Sequence, residues 1–150
     1  MRSVEIESVL AAPTDVVWER VSTFEGVNDE LRPLLRMTAP RDVRKLDAAE
    51  VVLGERICRS WVLLLGVLPI DYDDLTLVAL EPGRGFHERS RMLSMGVWEH
   101  ERTLEPDGAG CRVRDRLRFE PRVPGTGGLL ERIVTATFRH RHRRLRRRFG

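Results

Sequence analysis

Lysine is almost missing from this chain: Lys45 stands alone, so the 26 Lys and Arg residues are nearly all arginine. Cysteine is scarce too. Cys58 and Cys111 are too few for a metal site or a disulfide framework, and the expectation is two buried thiols in a reducing cytosol. The longest apolar run, Trp61 to Ile70, is broken by Gly66 and Pro69 and falls short of the ~20 residues a membrane-spanning helix needs. Glu5 and Glu7, with no apolar stretch around them, argue against a signal peptide. There is no glycine-rich phosphate loop, no Gly-x-Ser-x-Gly elbow and no metal-ligand spacing of His, Cys, Asp or Glu. No metal and no cofactor is therefore expected.

What is present fits one domain. The chain has 150 residues, 41% apolar and 33% charged, enough to bury a sizeable core and too apolar for a disordered chain. Its net charge of +3 is unevenly spread. Beyond Glu131 there are eight arginines and no acid, which leaves the rest of the chain with 18 basic and 23 acidic residues, a charge of −5.

Ser3 to Ala11 alternates as a strand does. Pro13-Thr14-Asp15 opens a helix with Val17, Val21 and Phe24 at helical spacing, and Gly26 is expected to stop it. A second short helix is expected over Asn28 to Leu35, with Pro33 early enough to be tolerated. Thr38 to Glu55 reads as a loop with one short strand near Val51 to Leu53. Strands follow: Ile57 to Leu65, apolar enough to be buried on both faces, then Asp71 to Leu80, Gly85 to Leu93, Val97 to Leu104 and Cys111 to Glu120. After a loop rich in proline and glycine, one long helix runs from about Thr126 to Phe149. Leu130, Val134, Phe138, Leu145 and Phe149 form its stripe, with Arg141 or His142 filling one step. Strands clustered between helices predict an α+β fold with helices on one face of an antiparallel sheet.

The last hairpin shows where polar residues point. Cys111, Val113, Asp115, Leu117 and Phe119 share one face, and four arginines share the other. The apolar face must be interior, since a one-residue slip would bury those arginines. Asp115 then points inward. Pairing Leu104 with Cys111 sets His100 opposite Asp115 and turns Trp98, His100 and Arg102 inward as well. The preceding strand adds Phe86, Glu88, Ser90 and Met92, with Glu88 beside Arg102. An inward polar cluster of Glu88, Ser90, His100, Arg102 and Asp115 results, framed by Phe86, Met92, Trp98 and Phe119. Charges in a solid core cost several kcal/mol each, on the order of what a paired and hydrated site avoids. Either a ligand cavity hydrates the cluster, or it satisfies itself, His100 on Asp115 and Arg102 on Glu88.

Val4 to Ala11 running into Pro13-Thr14-Asp15-Val16-Val17-Trp18, and the amphipathic helix after a Gly-rich loop, resemble the START-like or SRPBCC superfamily. That helix-grip family includes plant pollen allergens, lipid-transfer domains and polyketide cyclases. Trp61 to Leu68 with Pro69, Asp71-Tyr72-Asp73-Asp74, Phe86 to Ser90, Trp98 to Arg102, Asp115 and Phe138 to Arg141 resemble its small bacterial ligand-binding members. The resemblance implies a curved antiparallel sheet around the C-terminal helix, two short helices near the N-terminus, and a cavity between sheet and helix. Such cavities take lipids, sterols, polyketides or aromatic metabolites. The family shares no catalytic motif, so it transfers no catalytic residue.

Three functions compete. A binding protein would use Trp61, Tyr72, Phe86, Trp98, Phe119, Val134 and Phe138 as apolar walls and His100, Arg102 and Asp115 to orient a polar group, although core packing explains each aromatic equally well. A cyclase, aromatase or dehydratase would use His100, tuned by Asp115, as acid or base, with Arg102 stabilising an enolate oxygen. A nucleic-acid or anionic-membrane binder would use the seven arginines between Arg139 and Arg148, which a solvated helix face near an acidic body explains better. The leading expectation is a helix-grip domain that binds a hydrophobic small molecule.

Overall fold

In the computed structural model, which describes residues 1–41 and 51–150, the predicted order of elements is present. β1 (Arg2–Leu10) leads into α1 (Thr14–Val21), α2 (Phe24–Leu31) and a short β2 (Leu35–Met37). Then come β3 (Arg56–Leu64), β4 (Leu68–Glu81), β5 (Gly85–Met92), β6 (Met95–Asp107), β7 (Gly110–Pro121) and α3 (Gly127–Phe149). Seven strands form one sheet in the order β1-β7-β6-β5-β4-β3-β2, with every neighbouring pair antiparallel. Irregular steps within β3, β4 and β6 bend the strands, as bulges do. The curled sheet wraps α3, and α1 and α2 close one end: this is the helix-grip α+β arrangement. No helix among the described residues is long and apolar enough to cross a membrane.

The short helices differ from the expectation in phase. α1 ends at Val21, five residues before Gly26, because Ser22 and Thr23 turn their hydroxyls back onto the carbonyls of Trp18 and Arg20 at 2.7 Å each. Thr23 then caps α2 by accepting from the Gly26 N–H at 2.9 Å. Gly26 lies inside that new helix, where a Cβ would sit 1.8 Å from the Arg20 carbonyl oxygen. It is required for the close approach of the two helices rather than as a stop signal. α2 therefore begins four residues earlier than expected and ends before Pro33. The residue preceding a proline is driven out of the α region, and Arg32 has a ψ of 142°.

The expected strand near Val51 to Leu53 is absent. The sheet edge beside β3 is instead β2, which begins at Leu35, the last residue expected in the second helix. Most of the remaining stretch, residues 42–50, lies outside the described residues. β3 is not buried on both faces: Cys58, Ser60 and Val62 point in, while Arg59 and Trp61 point out.

The β6–β7 register differs by two residues from the expected one. The strands run on to Asp107 and Gly110, leaving only Gly108 and Ala109 in the turn. Gly108 takes a φ of 57° there, the left-handed start that a tight hairpin of this kind favours. His100 thus faces Leu117, and Arg102 faces Asp115. The β5–β6 register shifts likewise, setting Glu88 opposite His100 and Phe86 opposite Arg102. A shift of two keeps every side chain on its face, so the inward set survives although its cross-strand partners change.

Two apolar clusters fill the interior. Leu10, Val17, Trp18, Val21, Leu77, Leu104, Val113 and Leu145 belong to one; Met95, Trp98, Leu117, Phe119, Val134 and Phe138 to the other. Both cysteines are buried and neither is in a disulfide, and burial pushes the Cys111 thiol up, away from reactivity.

Candidate functional site

A single polar layer crosses the core between these clusters. Along β6 it holds His100 and Arg102, between Trp98 and Leu104. Along β7 it holds Asp115, between Leu117 and Val113. β1 contributes Ser8, α3 contributes Arg141 and His142, and α2 contributes Glu30. All seven are buried.

The hydrogen bonds of this layer close on Asp115. Its Oδ1 accepts from His100 Nε2 at 2.7 Å and Arg102 Nε at 2.8 Å. Its Oδ2 accepts from a second Arg102 nitrogen at 2.8 Å and from His142 Nε2 at 2.7 Å. An ionised carboxylate only accepts, so both histidines carry their proton on Nε2. Arg102 spends its remaining donors on Glu30 at 3.0 and 2.8 Å, and Arg141 donates to the same carboxylate at 3.1 Å. Ser8 donates to His142 Nδ1 and accepts from Arg146, both at 2.7 Å. Ser8, His142 and Asp115 are thus a hydrogen-bonded Ser–His–Asp chain, but Ser8 lines no part of the cavity and is capped by Arg146.

The electrostatics follow from this wiring. Burial pushes Asp115 up, but Arg102 and His100 outweigh it and hold its carboxyl well below the usual range. Burial acts on Glu30 in the same way and is outweighed by Arg102 and Arg141. Burial pulls His100 down, against the opposing pull of Asp115, so its neutral form is favoured.

Beside this layer lies a cavity of about 310 Å³ between the sheet and α3. Its walls include Phe24, Val27 and Leu31 of α2, Leu75 of β4, Phe86 of β5, Met95 and Trp98 of β6, and Val134 and Phe138 of α3. Ile70 and Ile133 line it while remaining 46% and 50% exposed, and so mark its mouth. His100 sits at the inner end, edge-on to Phe86 at 5.2 Å and to Phe138 at 5.0 Å. Its Nδ1, free of Asp115, stands 4.0 Å from Glu88. Arg141 also lines the cavity, its guanidinium over the Phe138 ring at 4.8 Å.

Of the residues singled out from sequence, Phe86, Glu88, Met92, Trp98, His100, Val134 and Phe138 meet at this cavity. Ser90 is buried behind it, donating to Glu88 at 2.7 Å and accepting from the Thr76 N–H at 3.0 Å. Arg102 and Asp115 are wholly enclosed in the polar layer, and Arg102 pairs with Glu30 rather than Glu88. Arg102 makes four hydrogen bonds within the layer and lines no part of this cavity, so it is not placed to reach an enolate oxygen. Phe119 is core, packed against Trp98 at 6.0 Å. Trp61 and Tyr72 are off the cavity altogether. They stack edge-to-face at 5.5 Å on the outer side of the sheet, where Arg59 covers Tyr72 and clasps Asp74 through two bonds.

Four residues were missed. Glu30 was hidden by the wrong phase of α2. His142 was expected only as an alternative to Arg141 at one step of the stripe, and both are buried there. Asp71 and Asp73 share the inward face of β4 with Leu75 and Leu77, a signal present in the alternation. Both line the cavity.

The arginine-rich end is largely committed within the chain. Arg141 is buried, Arg144 donates to the Asp29 carbonyl at 3.0 Å, and Arg148 lies 3.5 Å from the Asp29 carboxylate. His140 donates to the Arg32 carbonyl at 2.8 Å. These contacts clamp α2 to α3, and Arg139, Arg143 and Arg147 face outward.

Removing one member of the buried layer should be costly, because the partners left behind cannot be rehydrated. Arg102→Met is expected to lower unfolding free energy by about 3–5 kcal/mol in chemical denaturation. Arg59→Met, which breaks an exposed pair on the outer face, should leave the midpoint nearly unchanged. Equal effects of the two substitutions would contradict this description.

Comparison with known proteins agrees with the geometry. Protein CV1439 from Chromobacterium violaceum superimposes with a TM-score of 0.72 at 14% identity, over 99% of this chain and 98% of that one. A START superfamily protein from Mycobacterium smegmatis gives 0.69 at 14% identity, over 98% and 96%. Ara h 8.0201 gives 0.65 at 10% identity, over 97% and 95%. At such identities the likeness establishes the START-like fold. No curated protein matches the chain significantly. Residues 8–149 match the family described as the domain of unknown function DUF8410, and the chain belongs to that family.

Proposed function

We propose that this protein binds one hydrophobic or amphipathic small molecule, such as a lipid, polyketide or aromatic metabolite, in the cavity between the sheet and α3. The observation that carries this reading is the cavity itself. Its volume of about 310 Å³ falls at the lower end of the range of small-molecule sites, its walls are mostly apolar, and a few polar groups converge at its inner end. Well-packed interiors rarely leave such a space empty of purpose, since each missing contact costs stability. The polar layer is satisfied within the protein and needs no ligand, so the cavity is a separate feature of the core.

A saturable one-to-one titration with phenylnaphthylamine, an uncharged fluorescent probe, tests the reading. Ile133→Trp, which puts a bulky ring at the mouth, should weaken binding at least ~10-fold while circular dichroism stays unchanged. Absence of saturable binding by the unaltered protein would overturn the proposal.

A second reading rests on the arrangement of His100. A neutral imidazole held by Asp115 through Nε2, with Nδ1 left toward the cavity, has the form of a general base. On that reading the protein moves a proton on a bound polyketide-like molecule, as a cyclase or dehydratase does, with Arg141 rather than Arg102 near the developing oxyanion. His100→Gln would then lower turnover ~100-fold or more with binding retained. Turnover equal to that of the unaltered protein would sink it.

A further inference from the structure

The inner end of the cavity has more acid than base. Among the described residues, the buried ionisable acids are Glu30, Asp73, Glu88 and Asp115, and the buried arginines are Arg102 and Arg141. Both arginines are already committed. Arg102 is shared by Asp115 and Glu30, and Arg141 is on Glu30. Among the described residues Asp73 and Glu88 have no arginine partner, and the basic group beside them is the His100 imidazole, its Nδ1 4.0 Å from Glu88.

Asp73 faces Met92 and Glu88 faces Leu77 across the β4–β5 pair, and the two carboxyls reach toward each other along the same inward face, meeting at the Ser90 hydroxyl. Burial first, and then Glu88, push the Asp73 carboxyl well up. Among the described residues no arginine offsets the pair at this nearly dry wall. Asp73 is only 3% exposed, and its Oδ1 has no hydrogen-bond partner. Both residues line the cavity. Asp71, nearer the mouth, lines it as well, and it accepts from the Ser94 hydroxyl, the Ser94 N–H and the Tyr72 N–H with no basic partner among the described residues.

The aromatic groups beside the pair suit a cation. Phe86, Trp98 and Phe138 line the same space, and ring faces attract positive charge. An anionic head group would meet Asp73 and Glu88 head-on. A hydroxyl could donate to Asp73 Oδ1 but would leave the charge uncompensated. An ammonium can donate to the bare oxygen and supply the cationic partner that the pair lacks.

We propose that the ligand of this cavity is a hydrophobic amine, its ammonium held by Asp73 and Glu88 and its apolar body running along Trp98, Val134 and Phe138 toward Ile133. The proposal rests on the ligand-binding reading above and adds to it the chemical class of the ligand.

Three probes with one body and different heads separate the alternatives: phenylbutylamine, phenylbutanol and phenylbutanoate, each titrated calorimetrically at neutral pH. The amine should bind at least ~10-fold more tightly than the other two. Asp73→Asn and Glu88→Gln should each erase most of that advantage while leaving phenylbutanol within about twofold. The alcohol serves as the internal check that the cavity is intact in each variant. Equal or tighter binding of the alcohol overturns the amine assignment and leaves the ligand-binding reading standing. Tighter binding of the carboxylate does the same and points to Arg141 as the anchor. If none of the three binds, the amine assignment is overturned, and the phenylnaphthylamine titration then decides the broader reading separately.

Discussion

Burying the carboxylate of Asp115 at the centre of the core imposes a demand that the surrounding elements meet together. A fully enclosed carboxylate is tolerable only when its lone pairs are occupied by well-placed, preferably charged donors. Here the donors come from β6, through His100 and Arg102, and from α3, through His142. Arg102 carries the demand on to Glu30 of α2, and Glu30 carries it back to α3 through Arg141. One chain of charge-assisted bonds therefore fixes how both helices sit on the sheet. Apolar contacts alone, being non-directional, would allow them to slide and settle.

That fixation explains how a cavity persists. An apolar core tends to collapse toward crystal-like packing density. Side chains as long as Arg102 and Arg141, locked at both ends, hold α2 and α3 at a set distance from β6. Phe86, Trp98, Phe138 and Val134 then line a space that they do not fill. The cavity is chemically lopsided. Its mouth is aliphatic, at Ile70, Leu130 and Ile133, and its inner end carries His100, Asp73 and Glu88. A ligand that enters is oriented by that gradient, apolar end outward.

Much of this was legible in the sequence where one face of a strand had to be buried. Four arginines on one side of β7 settled that Asp115 faces inward, and strand pleating carried the inference to His100, Arg102, Glu88 and Phe86. The two-residue error in register did no harm to facing because the pleat repeats every two residues. What it changed was partnership: Arg102 met Asp115 and Glu30, not Glu88. Trp61 was misplaced because the run Ile57 to Leu65 reads as buried on both faces, and Tyr72, opposite it on β4, faces outward with it. β3 and β4 in fact carry an outer patch in which Trp61, Tyr72, Arg59 and Asp74 cover one another. Glu30 was out of reach for a different reason. Its role depends on a contact between residues 72 positions apart, and on a helix start set by the Thr23 hydroxyl. Local periodicity reports neither. His142 shows the limit of helical phase: the stripe had room for Arg141 or His142, and the buried layer takes both.

The claim at the centre of this account is that ligands enter the space between the sheet and α3 rather than adhering to an outer surface. A methyl-resolved NMR titration with phenylnaphthylamine measures this directly. The account predicts shifts concentrated at methyls of the cavity wall, among them Ile70, Leu75, Leu130, Ile133 and Val134. Shifts confined to Leu65, Val67 and Leu68 of the exposed β3–β4 turn, with the cavity methyls unmoved, would contradict it.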